Sequence, residues 1–343
     1  MTKQDWIALG GPSPLAKWGF ELMHSIVELC ASQRQIHTIG RDDHVTLDPA
    51  HQTKSLWLAQ FQNRPIVDVL ATGHCRIVAF LDEPLEAIRF TMGALGFNFL
   101  DSLRHQTAAA IGYPALQNNP AALIIPRDYA GSCASLIDLI LKHLELRPSQ
   151  SDYDRLLSRS LSIAETYLTL AQMLERRQLD VNTRINMPEL SQIEIKTAEQ
   201  VLPPLMLMAL PVDPMPIVWP HTIFTQGDTQ KPVQDLLIEL AGPPRFVFYG
   251  PYFYLPAGHW TVEAIFGFSD TVTHMHYLVD ITDSQMLTQS RLYPTEPGVF
   301  AAQFSLTHER SHEPLEFRFK TFESAIEGQV ALCLVRFYDF RPL

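Results

Sequence analysis

The chain has 343 residues, long enough for two domains of ordinary size. With 46% hydrophobic and 18% charged residues it can bury sizeable cores, which excludes global disorder, collagen and coiled coil. A formal charge of −11 argues against nucleic acid and anionic membranes as partners.

In chain order, the opening residues lack the basic segment and long apolar stretch of a secretory leader. Ile7-Ala8-Leu9 before Gly10-Gly11 reads as a buried strand, followed by a helix over 15–32. Residues 76–81 and 122–125 read as two more strands, followed by helices over 85–95 and 133–144. This alternation predicts a parallel sheet with helices on both faces. Apolar residues at helical spacing predict one long helix over 151–177, with its last turn carrying Arg176 and Arg177. A further helix is expected over 188–202. Between Pro203 and Pro220 stand six prolines in eighteen residues, which reads as an extended connector. No later window approaches the roughly 20 apolar residues of a membrane span.

Beyond the connector the period changes to two. Trp260, Val262, Ala264, Phe266 and Phe268 share one face of a strand. Met275–Ile281, Phe300–Leu306 and Leu315–Phe319 repeat the pattern, and Val330–Phe337 is apolar on both faces. Such short strands with Gly/Pro/Asp turns predict a β-sandwich, read as jelly-roll-like. The expected organisation is an α/β domain over 1–202 with its helical part at 151–202, the connector 203–220, and an all-β domain over 221–343.

The turn after the first strand reads Gly10-Gly11-Pro12-Ser13-Pro14-Leu15-Ala16-Lys17-Trp18 and opens a helix, a geometry that offers backbone N–H groups to phosphate. Against the P-loop pattern, Gly11 and Lys17 fit, while Ala16 and Trp18 replace the second glycine and the magnesium-binding hydroxyl. The alternative is a tight packing turn with Lys17 in solvent.

Together with its neighbours over residues 5–150, this turn resembles the sulfotransferase family. GGPSPLAKW aligns on Pro12 and Trp18 with the loop that holds the 5′-phosphosulfate of 3′-phosphoadenosine-5′-phosphosulfate. The stretch from Leu81 to Phe90 corresponds to the 3′-phosphate motif, and Ile124–Tyr129 with Leu144-Glu145-Leu146 echoes a third block. The resemblance implies that fold, with Gly10, Gly11, Lys17 and Arg89 as the residues left to bind the cofactor. The departures are chemical. Ser13 stands where the family has a cation, Asp82 replaces the arginine for the 3′-phosphate, and Phe90 replaces a serine. A carboxylate facing a dianion reverses an attraction. The expectation is a fold that has lost its cofactor, with no catalytic residue.

Other constellations are thinner. His37, His44 and His51 recur beside Asp42, Asp43 and Asp48 and read as a polar loop rather than a metal site. Cys30, Cys75, Cys133 and Cys333 are too scattered for a metal knuckle or a disulfide framework and point to a reducing, cytoplasmic home. In the second part, the run from Arg245 to Glu263 resembles a β-sandwich module of bacterial surface-polysaccharide proteins and is similar to carbohydrate-binding jelly rolls. The resemblance implies sugar contacts from Tyr249, Tyr252, Tyr254, Trp260, Arg245 and Arg291; the alternative places the aromatics in the core. His274 and His276 share one strand face, read as polar surface with metal binding as the alternative, and His308 and His312 read as solvated.

Three functions are carried forward. The first is a non-catalytic two-domain protein of bacterial polysaccharide or glycoconjugate production, with a glycan or a polysaccharide-assembly protein as partner and no cofactor or metal. The second is an active sulfotransferase using 3′-phosphoadenosine-5′-phosphosulfate on a glycan. The third is a structural protein making protein contacts, homo-oligomers included.

Overall fold

A computed structural model of the protein describes residues 5–39, 54–61, 64–72, 75–182 and 187–343. The chain divides into two units, Met1–Gln192 with Ala209–Pro211, and Ile193–Met208 with Val212–Leu343.

In the first unit, β1 (Trp6–Leu9) is buried along its whole length and lies in the middle of a sheet. Helix α1 (Pro14–Cys30) starts where it does because Ser13 is an extended N-cap and Pro14 takes the first helical position. Strands β2 (Gln35–Ile39) and β3 (Ser55–Ala59) follow, then α2 (Arg64–Thr72), β4 (Arg76–Leu81) and α3 (Pro84–Leu95). Helix α3 closes on Gly96 in the left-handed region, at φ 72°. After α4 (Phe99–Ala110) come β5 (Ala122–Pro126) and α5 (Cys133–His143). The strand order is β2-β3-β1-β4-β5, and every pairing is parallel. Leu9 registers with Ala79, so the turn leaving β1 and the residues leaving β4 emerge side by side. In a parallel sheet that carboxyl end is where ligands bind.

Two sequence expectations fail here. The single helix over 151–177 is two: α6 (Gln150–Ser160) and α7 (Leu170–Asn182). Between them Ser162 and Glu165 form a capping box, with Ser162 N–H donating to Glu165 Oε2 at 2.7 Å and Glu165 N–H to Ser162 Oγ at 3.4 Å. Thr169 and Gln172 repeat the device at the start of α7. Arg177 does not end a helix: it lies within α7 and grips Glu165 with two hydrogen bonds of 2.8 and 3.0 Å.

The proline-rich stretch is extended only in its latter part, and its start is helical. Helix α8 (Gln192–Leu207) runs through Pro203 and Pro204, whose missing N–H groups are offset by burial of Val201, Leu202, Pro204 and Leu205. At its far end, β6 (Ile217–Pro220) pairs with the last strand of the chain.

The second unit continues with β7 (Thr225–Gln226), β8 (Leu237–Glu239), β9 (Phe246–Phe253), β10 (Gly258–Phe268), β11 (Tyr277–Thr282), β12 (Met286–Leu292), β13 (Gly298–His308), β14 (Leu315–Thr321) and β15 (Gln329–Pro342). They form two antiparallel sheets. One runs β13-β10-β15-β6, with β8 also on β15; the other runs β12-β11-β14-β9-β7. The sheets pack face to face through Phe266 of one against Phe248, Phe317 and Phe319 of the other. Period-two alternation thus fills one core, with Trp219, Phe224, Phe253 and Phe337 completing it.

Candidate functional site

The turn leaving β1 has few backbone donors left for a ligand. Gly10 N–H donates to Ala59 O at 3.3 Å, and the Gly11 backbone hydrogen-bonds the buried Tyr113 hydroxyl. Pro12 and Pro14 have no N–H. Leu15 N–H donates to Asp82 Oδ2 at 2.8 Å, and Ala16 N–H to Ser13 Oγ at 3.1 Å. Lys17 N–H closes the first turn of the helix on Ser13 O at 3.0 Å. Except for Ser13 itself, every donor from Gly10 to Lys17 therefore has a partner in the chain.

Asp82 is the centre of the arrangement. It leaves β4 beside the turn, is 5% exposed, and places its carboxylate at the positive end of α1, the position an anionic ligand would take. Its Oδ1 accepts from Arg127 Nη1 at 2.8 Å and from Glu83 N–H at 2.9 Å. Arg127 is itself buried and passes on to Gln178 Oε1 at 3.2 Å; Gln178 donates to Glu86 at 2.8 Å, and Glu86 holds Arg89 at 2.8 Å. The chain Leu15–Asp82–Arg127–Gln178–Glu86–Arg89 is a closed polar network. Gln106 adds a bond to Pro12 O at 2.9 Å.

The four residues left for the cofactor occupy other roles. A Cβ on Gly10 would lie 2.7 Å from Ala16 Cβ and 3.0 Å from Phe80 O, and one on Gly11 would lie 2.6 Å from Gln106 Oε1. Both glycines permit close packing of turn, strand and helix. Lys17 is exposed, and Arg89 is neutralised by Glu86. The residues present do not fit 3′-phosphoadenosine-5′-phosphosulfate: an internal carboxylate occupies the phosphate position, and its cation is already paired.

The sandwich candidates separate into two groups. Arg245 is a loop staple, bonded to Asp228 at 2.8 Å and to the carbonyls of Leu240, Pro243 and Glu239 at 3.0–3.3 Å. Trp260 is core, its Nε1–H donating to Pro256 O at 3.2 Å, and Tyr254 is buried as well. Trp260 is buried because alternation turns every second residue of β10 into the core. Tyr249, Tyr252 and Arg291 do reach the surface, Tyr252 from a left-handed backbone at φ 66° with its hydroxyl on Glu316 at 2.7 Å. Sequence reasoning missed Phe246 on β9 and Phe322 just after β14, each 42% exposed. For Phe322 the signal was its phase with Arg318 and Lys320; Phe246 shares the phase of the buried Phe248 and is turned outward by a register shift.

The histidines also move. His37 stacks on Trp57 at 4.3 Å, whereas His44 and His51 lie outside the described residues. His274 and His276 precede β11, and His276 pairs with Glu323 at 2.7 Å. His308 is not solvated: it is wholly buried, and neither ring nitrogen has a hydrogen-bond partner, although Nδ1 lies 3.6 Å from Asp283 Oδ2. Burial pushes its pKa down to about 4, against the pull of Asp283 and Glu313 and together with repulsion from Arg310 and His312. Among the described residues, no group of three or more His, Cys, Asp or Glu side chains is arranged to hold a metal. All four cysteines are free thiols. No helix among those residues is long and apolar enough to cross a membrane.

No family model matches the chain, and no curated protein matches it in sequence. Among solved structures, a mouse sulfotransferase complexed with PAP is similar over 48% of this chain and 66% of its own, at 12% identity and a TM-score of 0.35. The module TmCBM61, solved with β-1,4-galactotriose, covers 35% of this chain and 90% of its own, at 7% identity and 0.27. The C-terminal CBM6 of LamC from Zobellia galactanivorans covers 36% and 100%, at 6% identity and 0.26. With every score this low, these likenesses assign neither a site nor an activity to this chain.

Proposed function

We propose that this is a non-catalytic two-part protein of bacterial polysaccharide or glycoconjugate production. Its first unit has a sulfotransferase-like frame whose anion site is closed from within, and its second is a glycan-binding sandwich of jelly-roll type. The observation that carries the first half is the hydrogen bond from Leu15 N–H to Asp82, with Arg127 behind it. Sulfuryl transfer needs donors and cations aimed at the oxygens where charge develops. Here the donors are spent on a carboxylate, and the nearest buried cation is spent on the same group. The second half rests on the run from Arg245 to Glu263 and on aromatic rings standing exposed beside cations on one sheet face. The four free thiols support a cytoplasmic location.

Calorimetry with adenosine 3′,5′-bisphosphate tests the first half. No heat of binding is expected at millimolar nucleotide. Micromolar binding that disappears in Lys17→Ala would restore the active sulfotransferase. A glycan array tests the second half: uniform silence there would leave a protein-contact role for the sandwich.

A further inference from the structure

We propose that the outer face of the β12-β11-β14-β9-β7 sheet binds an acidic saccharide through the row Arg291, Lys320, Phe246 and Phe322. This rests on the glycan-binding reading above and names the ligand class and the place.

The register puts three of these residues on one line. Arg291 on β12 pairs with Leu278 on β11, Leu278 pairs with Lys320 on β14, and Lys320 pairs with Phe246 on β9. Tyr277, Val279, Phe317 and Phe319 are turned into the core, so alternation turns Lys320 to the opposite face, with Leu278 buried in the row at 2% exposure. The register shift between Phe319 and Lys320 brings Phe246 to the same side, 42% exposed. Three inter-strand steps of about 4.8 Å make it roughly 14 Å long, enough for a short oligosaccharide. The Lys320 ammonium stands 5.6 Å from the centroids of both Phe246 and Phe322. The Arg291 guanidinium lies 5.8 Å from the Phe322 ring, and Arg318 lies 5.7 Å from Phe246. Cations and rings alternate along the row.

Charge decides the ligand class. Among the described residues, neither Arg291 nor Lys320 has a carboxylate within ion-pair distance, although the chain holds 37 acidic and 26 basic residues. The acids on this face are already taken: Asp280 and Glu316 pair with Arg318, and Glu323 pairs with His276. Arg291 and Lys320 stand against aromatic faces rather than counterions, which leaves both cations available to an anionic ligand. Exposed phenyl rings take the C–H faces of pyranoses, and an ammonium beside a guanidinium takes a carboxylate or sulfate.

Affinity electrophoresis of the whole protein through gels containing polygalacturonate, chondroitin sulfate or neutral dextran tests this. Retardation is expected in one or both acidic gels, declining with added salt. Retardation by polygalacturonate identifies a uronate carboxylate as sufficient, and by chondroitin sulfate alone, a sulfate. The double variant Lys320→Met/Arg291→Gln, with unchanged circular dichroism, should bind at least tenfold more weakly. The charge-matched double variant Lys142→Met/Arg147→Gln, at exposed positions of the first unit, should bind like the parent. Equal retardation of the double variant overturns the assignment of the site. Retention by dextran with none by the acidic polymers overturns the anionic class and leaves the glycan reading standing. Indifference to all three gels together with a silent glycan array overturns both.

Discussion

Asp82 illustrates how one side chain converts a ligand site into a structural joint. Buried carboxylates are stable only when paired and hydrogen-bonded, and Asp82 has an arginine, two backbone donors and the end of a helix dipole. Removing it leaves Arg127 as an unpaired charge at 6% exposure and Leu15 N–H without an acceptor. Asp82→Ala is therefore expected to lower the unfolding free energy by about 3–5 kcal/mol in urea titrations. A loss below about 1 kcal/mol would mean the network is not closed in solution. His308 makes the opposite case, a titratable group held neutral by burial. Its folded pKa of about 4 lies below the ordinary 6.5, so the unfolded chain binds the extra proton between those values. Stability from this group is complete above pH 6.5 and is lost as pH falls toward 4, by about 3 kcal/mol. His308→Leu sacrifices no hydrogen bond, since both ring nitrogens lack partners. It should flatten the stability profile over that window, and an unchanged slope in urea unfolding at stepped pH would refute the assignment.

At the scale of elements, the break between α6 and α7 is a designed joint held by Glu165. Arg177 and Ser162 hold its carboxyl down at about 2, against an ordinary 4.5. Its contribution is present above pH 4.5 and is lost as pH falls toward 2, below the window of His308. In His308→Leu, the remaining acid-dependent step should therefore sit below pH 4.5 and shrink on adding Glu165→Gln. Strands β1, β4 and β5 and the starts of α1 and α3 were legible, the latter because Ser13-Pro14 and Pro84 mark N-termini in any context, whereas β2, β3, α2 and α4 went unread. The joint was legible too, as Ser162-x-x-Glu165 and Thr169-x-x-Gln172, but a long list of apolar residues at helical spacing outweighed it. The loss of cations at positions 13 and 82 was equally readable. What replaced the ligand was not, because Leu15, Asp82 and Arg127 are 67 and 45 positions apart, and only the parallel register joins them. Surface aromatics were misassigned for a related reason: Phe246 is two residues from the buried Phe248 and shares its phase, and only a register shift against β14 turns it outward.

For the whole molecule, the proline content signals a boundary without locating it. Strand β6 lies in the proline-rich stretch, yet Trp219 from it is fully buried against Phe224, Phe253 and Phe337. Its backbone closes one edge of β15 from Leu334 to Phe337. A fragment starting at residue 221 would remove that indole, expose the edge of a long apolar strand, and leave a void between aromatic rings. A fragment over 193–343 keeps β6 and also keeps Ile193–Met208, which belongs to the second unit. The longer fragment is expected to be soluble and to unfold in one cooperative transition. The shorter should aggregate, or melt at least 10 °C lower, since burying an indole and a strand edge is worth several kcal/mol, and roughly 1 kcal/mol moves the midpoint of a domain this size by about 4 °C. Equal melting of the two fragments in scanning calorimetry would mean that β6 is dispensable and that the boundary lies after Pro220.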